Sequence, residues 1–413
     1  MPITIDSTRR CYPAKPAGFY LLLCAFLILV SCHTAPAKRY GFLTMLGQDT
    51  ISAETIVRRG NILETDEVDR FPRVRIRHTV VKLNDDGSIR HLEMEIHTPS
   101  EPSAERDRKV VADVDHNNVH LSKKDSAGTV NRDFPTGGSL VVAHVQQMYS
   151  LYELYFAAAL KQSAATKLAA GSAVQLRQFY IDREFDRFPL GHATVTSLGK
   201  GKAEVVHDWL SGTGEAQMDS NDMLSYSGGR TTYLVEVKRL ATAPDVKAIA
   251  AGFESRETAT GGVRSLSVRD TVRAQMGKAT LTIDYGRPLL RGRILLGDVI
   301  PYDRVWRTGA NAATQFTTAT PIKLGDVRVP AGTYTLFTAP HTSGVDLIVN
   351  KQSGEWGTEY NGSFNLGTTR MISEAATTPV EAFTISAIPT DPRHGKLVLE
   401  WGTFRWIAPI EVQ

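Results

Sequence analysis

The 413-residue chain carries 47 Lys and Arg against 44 Asp and Glu, a formal net charge of +3, with 42% hydrophobic residues. This balance excludes a disordered polyelectrolyte and gives no basic stripe of the kind nucleic-acid binders use. The length predicts two or three domains, and the abundance of Gly, Thr and Val favours β-structure.

All three cysteines, Cys11, Cys24 and Cys32, fall at the N-terminus. Arg9, Arg10 and Lys15 precede an apolar run from Phe19 to Val30, the layout of a secretory signal. The run is shorter than the roughly 20 apolar residues of a transmembrane helix and is followed by polar Ser31, His33 and Thr34. Leu29-Val30-Ser31-Cys32 resembles the bacterial lipoprotein box. That resemblance implies residues 1–31 as signal peptide, a diacylated Cys32 as the new N-terminus and 32–39 as a tether. The alternative is cleavage after Ala35-Pro36-Ala37, releasing a soluble periplasmic or secreted chain. Either form keeps no disulfide, so its stability must come from burial. The expected location is the cell envelope, with the lipid anchor as membrane partner; His33, where inner-membrane retention would place Asp, favours the outer membrane.

Residues 40–240 read as a β-rich α+β domain. Strands are expected at Glu54–Arg59, Arg73–Leu83 and Ile89–His97, the last two alternating apolar and charged. Asn84-Asp85-Asp86-Gly87 supplies a hairpin turn. The polar stretch from Pro99 to Arg132 reads as loop with one short strand. Met148, Leu151, Tyr152, Tyr155, Phe156 and Leu160 recur at helical spacing and predict an amphipathic helix over Gln146–Leu160. Strands resume at Val174–Asp182, Ala193–Ser197, Ala203–Leu210, Gly214–Asp219, Met223–Ser227 and Thr231–Arg239. The pattern is a curved antiparallel sheet with one main helix, similar to the unclosed barrels of bacterial periplasmic lipoprotein carriers. Val205, Trp209, Met218 and Tyr233 would line its inner face, as a cavity or as a filled core.

Residues 241–270 read as a linker with a short helix at Asp245–Ala251. Residues 271–413 read as an antiparallel β-sandwich domain, with strands at Ala279–Tyr285, Ala313–Thr318, Thr333–Thr338, Val345–Asn350, Val380–Ala387, Lys396–Trp401 and Phe404–Ile410. The fold class is therefore mostly β.

Distinctive wording runs through this second region: Asp284-Tyr285-Gly286-Arg287-Pro288, Arg291-Gly292-Arg293, Pro301-Tyr302, Val305-Trp306-Arg307-Thr308-Gly309-Ala310-Asn311, Pro330-Ala331-Gly332-Thr333-Tyr334-Thr335-Leu336-Phe337 and Val349-Asn350-Lys351. In order and spacing it resembles, over about 268–390, the bacterial domain of unknown function twenty-nine eleven family. The resemblance implies an exported protein and no known activity.

Read chemically, guanidinium forks beside aromatic faces suit a small carboxylate, phosphate or sugar-like ligand, which nominates Arg287, Arg293, Trp306, Arg307, Asn311 and Tyr334 as ligand-binding residues. The competing reading has these arginines pairing with Asp284, Asp298 or Glu400 to pin loops. Catalytic signatures are sparse. There is no Gly-x-Ser-x-Gly elbow and no phosphate loop ending in Gly-Lys-Ser/Thr. Ser197-Leu198-Gly199-Lys200 has Ser-x-x-Lys spacing but reads as a turn. Asp113, Asp115, His116 and His120 resemble a metal cluster but read as a solvated loop, and neither metal nor other cofactor is expected. The functional expectation is an exported, lipid-anchored envelope protein that binds a small molecule or envelope component without catalysis. An exported hydrolase or isomerase acting around the Trp306–Asn311 loop, with nearby acids or His341, is the alternative, and a structural adaptor is the third possibility.

Overall fold

The computed structural model describes residues 36–70, 73–163, 170–181, 190–207, 213–220, 222–228, 234–260 and 265–413. The signal segment with Cys32, and the residues Trp209 and Tyr233, lie outside the described residues.

The chain opens as a meander of β1 (Lys38–Leu46), β2 (Asp49–Arg59), β3 (Ile62–Asp69), β4 (Arg75–Leu83) and β5 (Ile89–His97). After one helical turn, α1 (Ser103–Arg106), come β6 (Asp107–Val114), β7 (Asn118–Asp125), β8 (Gly128–Pro135), β9 (Val141–His144) and helix α2 (Tyr149–Ser163). Then follow β10 (Ala173–Tyr180), β11 (Gly191–Gly199), β12 (Lys202–His207), β13 (Thr213–Asp219), β14 (Asp222–Ser227) and β15 (Glu236–Leu240). These strands form one sheet in the order 8-7-6-5-4-3-2-1-15-14-13-12-11-10-9. Every described pairing is antiparallel except β9 with β10. Parallel neighbours need a long crossover, and α2 is that crossover, laid across the concave face.

The sheet curls until β9 comes near β5. Helix α2 fills the trough: Tyr149 through Ala159 are all buried, with Leu151, Tyr155 and Phe156 fully so. The expected amphipathic stripe is therefore a helix enclosed on all sides over that stretch, and a single apolar face gave the spacing while Ala157, Ala158 and Ala159 fill the rest. Its one acid, Glu153, accepts from Tyr40 Oη, Met223 N (3.0 Å) and Arg239 Nη1 (3.1 Å), tying the helix to β1, β14 and β15. Val205 and Met218 belong to this packed core. The hairpin at Asn84–Gly87 forms, with Gly87 at φ 87° and Asn84 N donating to Ser88 O at 2.9 Å.

Two expectations need correction. The polar stretch after Pro99 holds three strands rather than one, β6 to β8; β8 is exposed along most of its length, so no apolar alternation marks it. The short helix expected at Asp245–Ala251 runs on as α3 (Val246–Ala259), capped by Asp245, whose carboxylate accepts from Ala248 N at 3.0 Å. Val246, Ala250 and Phe253 pack on Ala53, Val68 and Val74, covering the convex face of β2 and β3. These central strands thus lie between two helices, which explains the unbroken burial from Ile51 to Ile56.

The second sheet comprises β16 (Val268–Met276), β17 (Ala279–Arg287), β18 (Thr314–Thr318), β19 (Ile322–Leu324), β20 (Val327–Val329), β21 (Gly332–His341), β22 (Gly344–Asn350), β23 (Asn365–Pro389) and β24 (His394–Val412). Its order is 16-17-18-21-22-23-24-19-20, and its pairings are antiparallel. β23 also packs back across β16 and β17, so the sheet encloses its own core of Ile283, Tyr285, Phe316, Leu336, Phe383, Leu399 and Trp401. Among the described residues no helix is long and apolar enough to cross a membrane.

Candidate functional site

Pro36–Gln413 is a single compact unit, and the two sheets meet where the β1–β2 turn touches the loop after β17. Gln48 N donates to Arg291 O at 3.1 Å. Arg291 sits at φ 51° and Gly292 at φ 69°, a left-handed pair that turns the loop sharply back on the first sheet. A non-glycine residue there is sterically disfavoured and must be held by its surroundings. The Arg291 side chain provides that hold: Nε donates to Asp49 Oδ2 at 2.8 Å and Nη2 to Leu266 O at 2.8 Å.

Beside this contact opens a cleft of about 460 Å³. Its lining brings together five arginines from separate segments: Arg70 and Arg73 from the β3–β4 connection, Arg256 from α3, Arg287 from the end of β17, and Arg291. Asp49 and Glu257 are the acids of the lining, and Val74, Phe253, Leu266, Val268, Leu289 and Ala382 supply apolar wall. Arg70 Nη2 lies 3.5 Å from Asp49 Oδ2, and its Nε donates to Thr50 O at 3.1 Å. Arg73 pairs with Glu101. Arg287 donates to Asp270 Oδ2 (3.3 Å), Phe383 O (3.1 Å) and Thr384 Oγ1 (3.1 Å). Arg256 is exposed; its Nε donates to Gly252 O at 3.2 Å. Glu257 Oε2 accepts from Val74 N at 3.0 Å, docking α3 onto the sheet.

Phe253, 2% exposed, lies beneath two of these cations, with Arg256 Cζ 5.2 Å and Arg70 Cζ 5.5 Å from its ring centroid. Such cation–π contacts orient guanidinium groups. The Arg70 guanidinium is held below the usual arginine range chiefly by burial; Asp49 opposes the shift, and the positive charges of Arg256 and Arg291 add to it. Crowded cations of this kind are stabilised by an anion placed among them.

The six residues nominated from sequence share neighbours in two places, Arg287 and Trp306 at Phe383, and Arg307 and Asn311 at Gly357. Of them only Arg287 lines the cleft. Arg293 turns onto the backbone, donating to Leu290 O (3.1 Å) and Leu289 O (2.7 Å). Trp306 is buried, stacked on Trp401 at 5.9 Å and edge-on to Phe383 at 5.1 Å, and its backbone bridges to Thr338. Arg307 packs against Gly357, where an added Cβ would meet Arg307 Cδ at 2.1 Å. Asn311, at φ 63°, reaches Ser265 Oγ at 3.5 Å and accepts from Gly357 N at 3.0 Å through its carbonyl. Tyr334 donates to Pro330 O at 3.1 Å. Arg307 and Asn311 thus share the Gly357 neighbourhood, while Arg287 is engaged with Asp270, Phe383 and Thr384. His341 is likewise engaged, with Asp303 at 2.5 Å and Asp346 at 3.3 Å. Of the acid partners expected, Asp284 pairs with Arg269 and Glu400 with Arg405, while the charge of Asp298 acts on Arg293.

Asp113 and His120 lie on adjacent strands, yet each is spent on a pair, His91 with Asp113 (2.7 Å) and His120 with Asp133 (2.8 Å) and Asp115 (3.2 Å). Among the described residues no three His, Cys, Asp or Glu are placed to share a metal ion. Two buried polar clusters lie inside the first sheet. Arg77 Nη1 bridges Glu67 and Asp69 at 2.6 Å each, and His144 and His207, with ring centroids 5.2 Å apart, surround Tyr155 and Gln178. Both stand in the packed core, where hydrogen-bonded polar groups fix strand register.

Arg70, Arg73, Arg256 and Arg291 are not marked as one site by the sequence because they come from segments far apart along it. The available signal was local: Val246, Ala250 and Phe253 at i, i+4 and i+7 mark a docked helix whose polar edge carries Arg256.

Residues 267–410 match the family model described as "Protein of unknown function (DUF2911)", as the wording of the second region implied, and the match reaches further towards the C-terminus than expected. No curated protein matches the chain. Two solved structures are similar to it. One is a DUF1089 family protein from Pseudomonas aeruginosa, 14% identical, covering 44% of this chain and 91% of that one with a TM-score of 0.34. The other is a beta-barrel-like protein of domain of unknown function DUF1849 from Brucella abortus, 12% identical, covering 49% and 94% with a TM-score of 0.31.

Proposed function

We propose that the protein is an exported envelope protein, anchored to a membrane through acylated Cys32, that binds a small anionic molecule in the arginine-lined cleft without catalysing a reaction on it. The observation that carries the binding role is the convergence of five guanidinium groups on one apolar-walled cleft whose lining holds two carboxylates. Forked donors fixed by neighbouring backbone and by an aromatic ring are preorganised for oxyanions. Mixed apolar and polar lining is the usual make-up of a small-molecule site. The export and anchoring role is supported by the basic start, the apolar run and Leu29-Val30-Ser31-Cys32. The anchor would hold the cleft near the envelope surface, and the outer membrane is the favoured side because His33 follows the cysteine.

Native mass spectrometry of the protein purified gently from its own envelope tests both parts. The expected spectrum shows a lipid-modified N-terminus at Cys32 and a co-purifying small molecule that is lost from Arg256→Ala. Arg256 is exposed and anchored only to its own helix, so this change should leave the fold intact. A bare, unlipidated wild-type protein would contradict the proposal.

A further inference from the structure

Resting on the reading of the cleft as the binding site, we infer that its ligand presents a phosphate monoester, a doubly charged tetrahedral oxyanion, to Arg70, Arg256 and Arg291. The charge pairing of the cleft leads there. Arg73 and Arg287 each have their own carboxylate, Glu101 and Asp270. Arg70 and Arg291 share a single one, Asp49 Oδ2, at 3.5 and 2.8 Å. Arg256 has no carboxylate within 4.0 Å among the described residues. Glu257, the other acid of the lining, gives its Oε2 to the Val74 amide and forms no ion pair with any of the three. Three guanidinium groups therefore stand against two carboxylates, of which only Asp49 is directly bonded to any of them.

A monocarboxylate ligand offers two oxygens in one plane, too few to meet forked donors from all three residues. A phosphate monoester carries about −1.5 to −2 at neutral pH and offers three terminal oxygens to forked donors. The donors come from three separate places, β3's end, α3 and the loop after β17, which suits a tetrahedral group better than a planar one. Leu266 and Leu289, the half-buried apolar side chains of the lining, then face the ester's organic part, so that part is apolar or aromatic. The same headgroup chemistry occurs on a membrane lipid and on a soluble ester.

Calorimetric titration of the purified full-length protein at fixed pH and ionic strength decides the matter, with phenyl phosphate, inorganic phosphate and benzoate as probes. Phenyl phosphate should bind about 10-fold or more tightly than benzoate, and Arg256→Ala should weaken phenyl phosphate by about 10-fold or more, the scale of one charge-assisted contact. Arg256→Lys should recover part of the loss, because charge is kept while the fork is not. Titration with a water-soluble short-chain phosphatidic acid would assign the lipid source if that lipid binds more tightly than phenyl phosphate, and the soluble source if it does not. Benzoate binding as tightly as phenyl phosphate, indifference to Arg256→Ala, or binding of neither probe would overturn the inference. A co-purifying molecule without phosphorus, lost in Arg256→Ala, would overturn it while leaving the cleft reading in place.

Discussion

A Cβ on Gly286 would lie 2.1 Å from the carbonyl oxygen of Ala310, and one on Gly357 would lie 2.6 Å from that of Asn311. These glycines let the Trp306–Asn311 loop pass against strand and loop backbone, so the distinctive wording of the second region records close packing around a buried tryptophan pair. Of its arginines, Arg287 and Arg293 cap backbone carbonyls, a role that sequence does not display. Single buried acids in the first sheet have a different consequence. Glu54 accepts from Tyr149 N (2.5 Å) and Ser150 N (2.9 Å) at the start of α2, yet burial pushes its carboxyl up to about 7, the hydrogen bonds opposing and Glu153 adding. A folded pKa above the unfolded value means stability present at low pH and lost as pH rises through the folded pKa. Between about pH 5 and 8 this group should remove roughly 3 kcal/mol. Urea unfolding across that range should show the loss in wild type and a flatter profile in Glu54→Gln; equal slopes would refute it. His144 acts oppositely: burial, then His207, lowers its pKa, so its contribution is present above the unfolded value near 6.5 and is lost below it.

Strands are legible where one face is wet and obscure where both are. β4 and β5 alternate cleanly and were found at nearly their true bounds. β6 to β8 form a flap with much solvent exposure, and nothing in their polar wording separates strand from loop. Only the first half of α3 is legible, as a short helix in a linker, because its exposed side is dense in Ala, Thr and charge, although three buried residues anchor it. Its role is to seat Phe253 under the cleft's cations. Phe253→Ala should therefore cost about 3 kcal/mol or more in unfolding free energy, the usual loss for a buried ring. A loss below about 1 kcal/mol would show that α3 is docked loosely and cannot be a firm wall of the site.

At the scale of the whole molecule, the cleft exists only because two independently cored sheets are joined by a strained loop, a shared aspartate and a helix laid across the convex face of one. Arg70, Arg73 and Arg256, from the first sheet and α3, meet Arg287 and Arg291 only once both sheets have formed, and composition, with a charge near neutrality, gives no hint of that local cationic concentration. The most direct check on this account is hydrogen–deuterium exchange of the full-length protein with and without saturating phenyl phosphate. The account predicts slower exchange in three stretches together: the β1–β2 turn and Arg70–Val74, the second half of α3, and residues 287–293, with the Trp306–Asn311 loop and α2 unchanged. Protection confined to the Trp306–Asn311 loop or to the interior of the first sheet would contradict it.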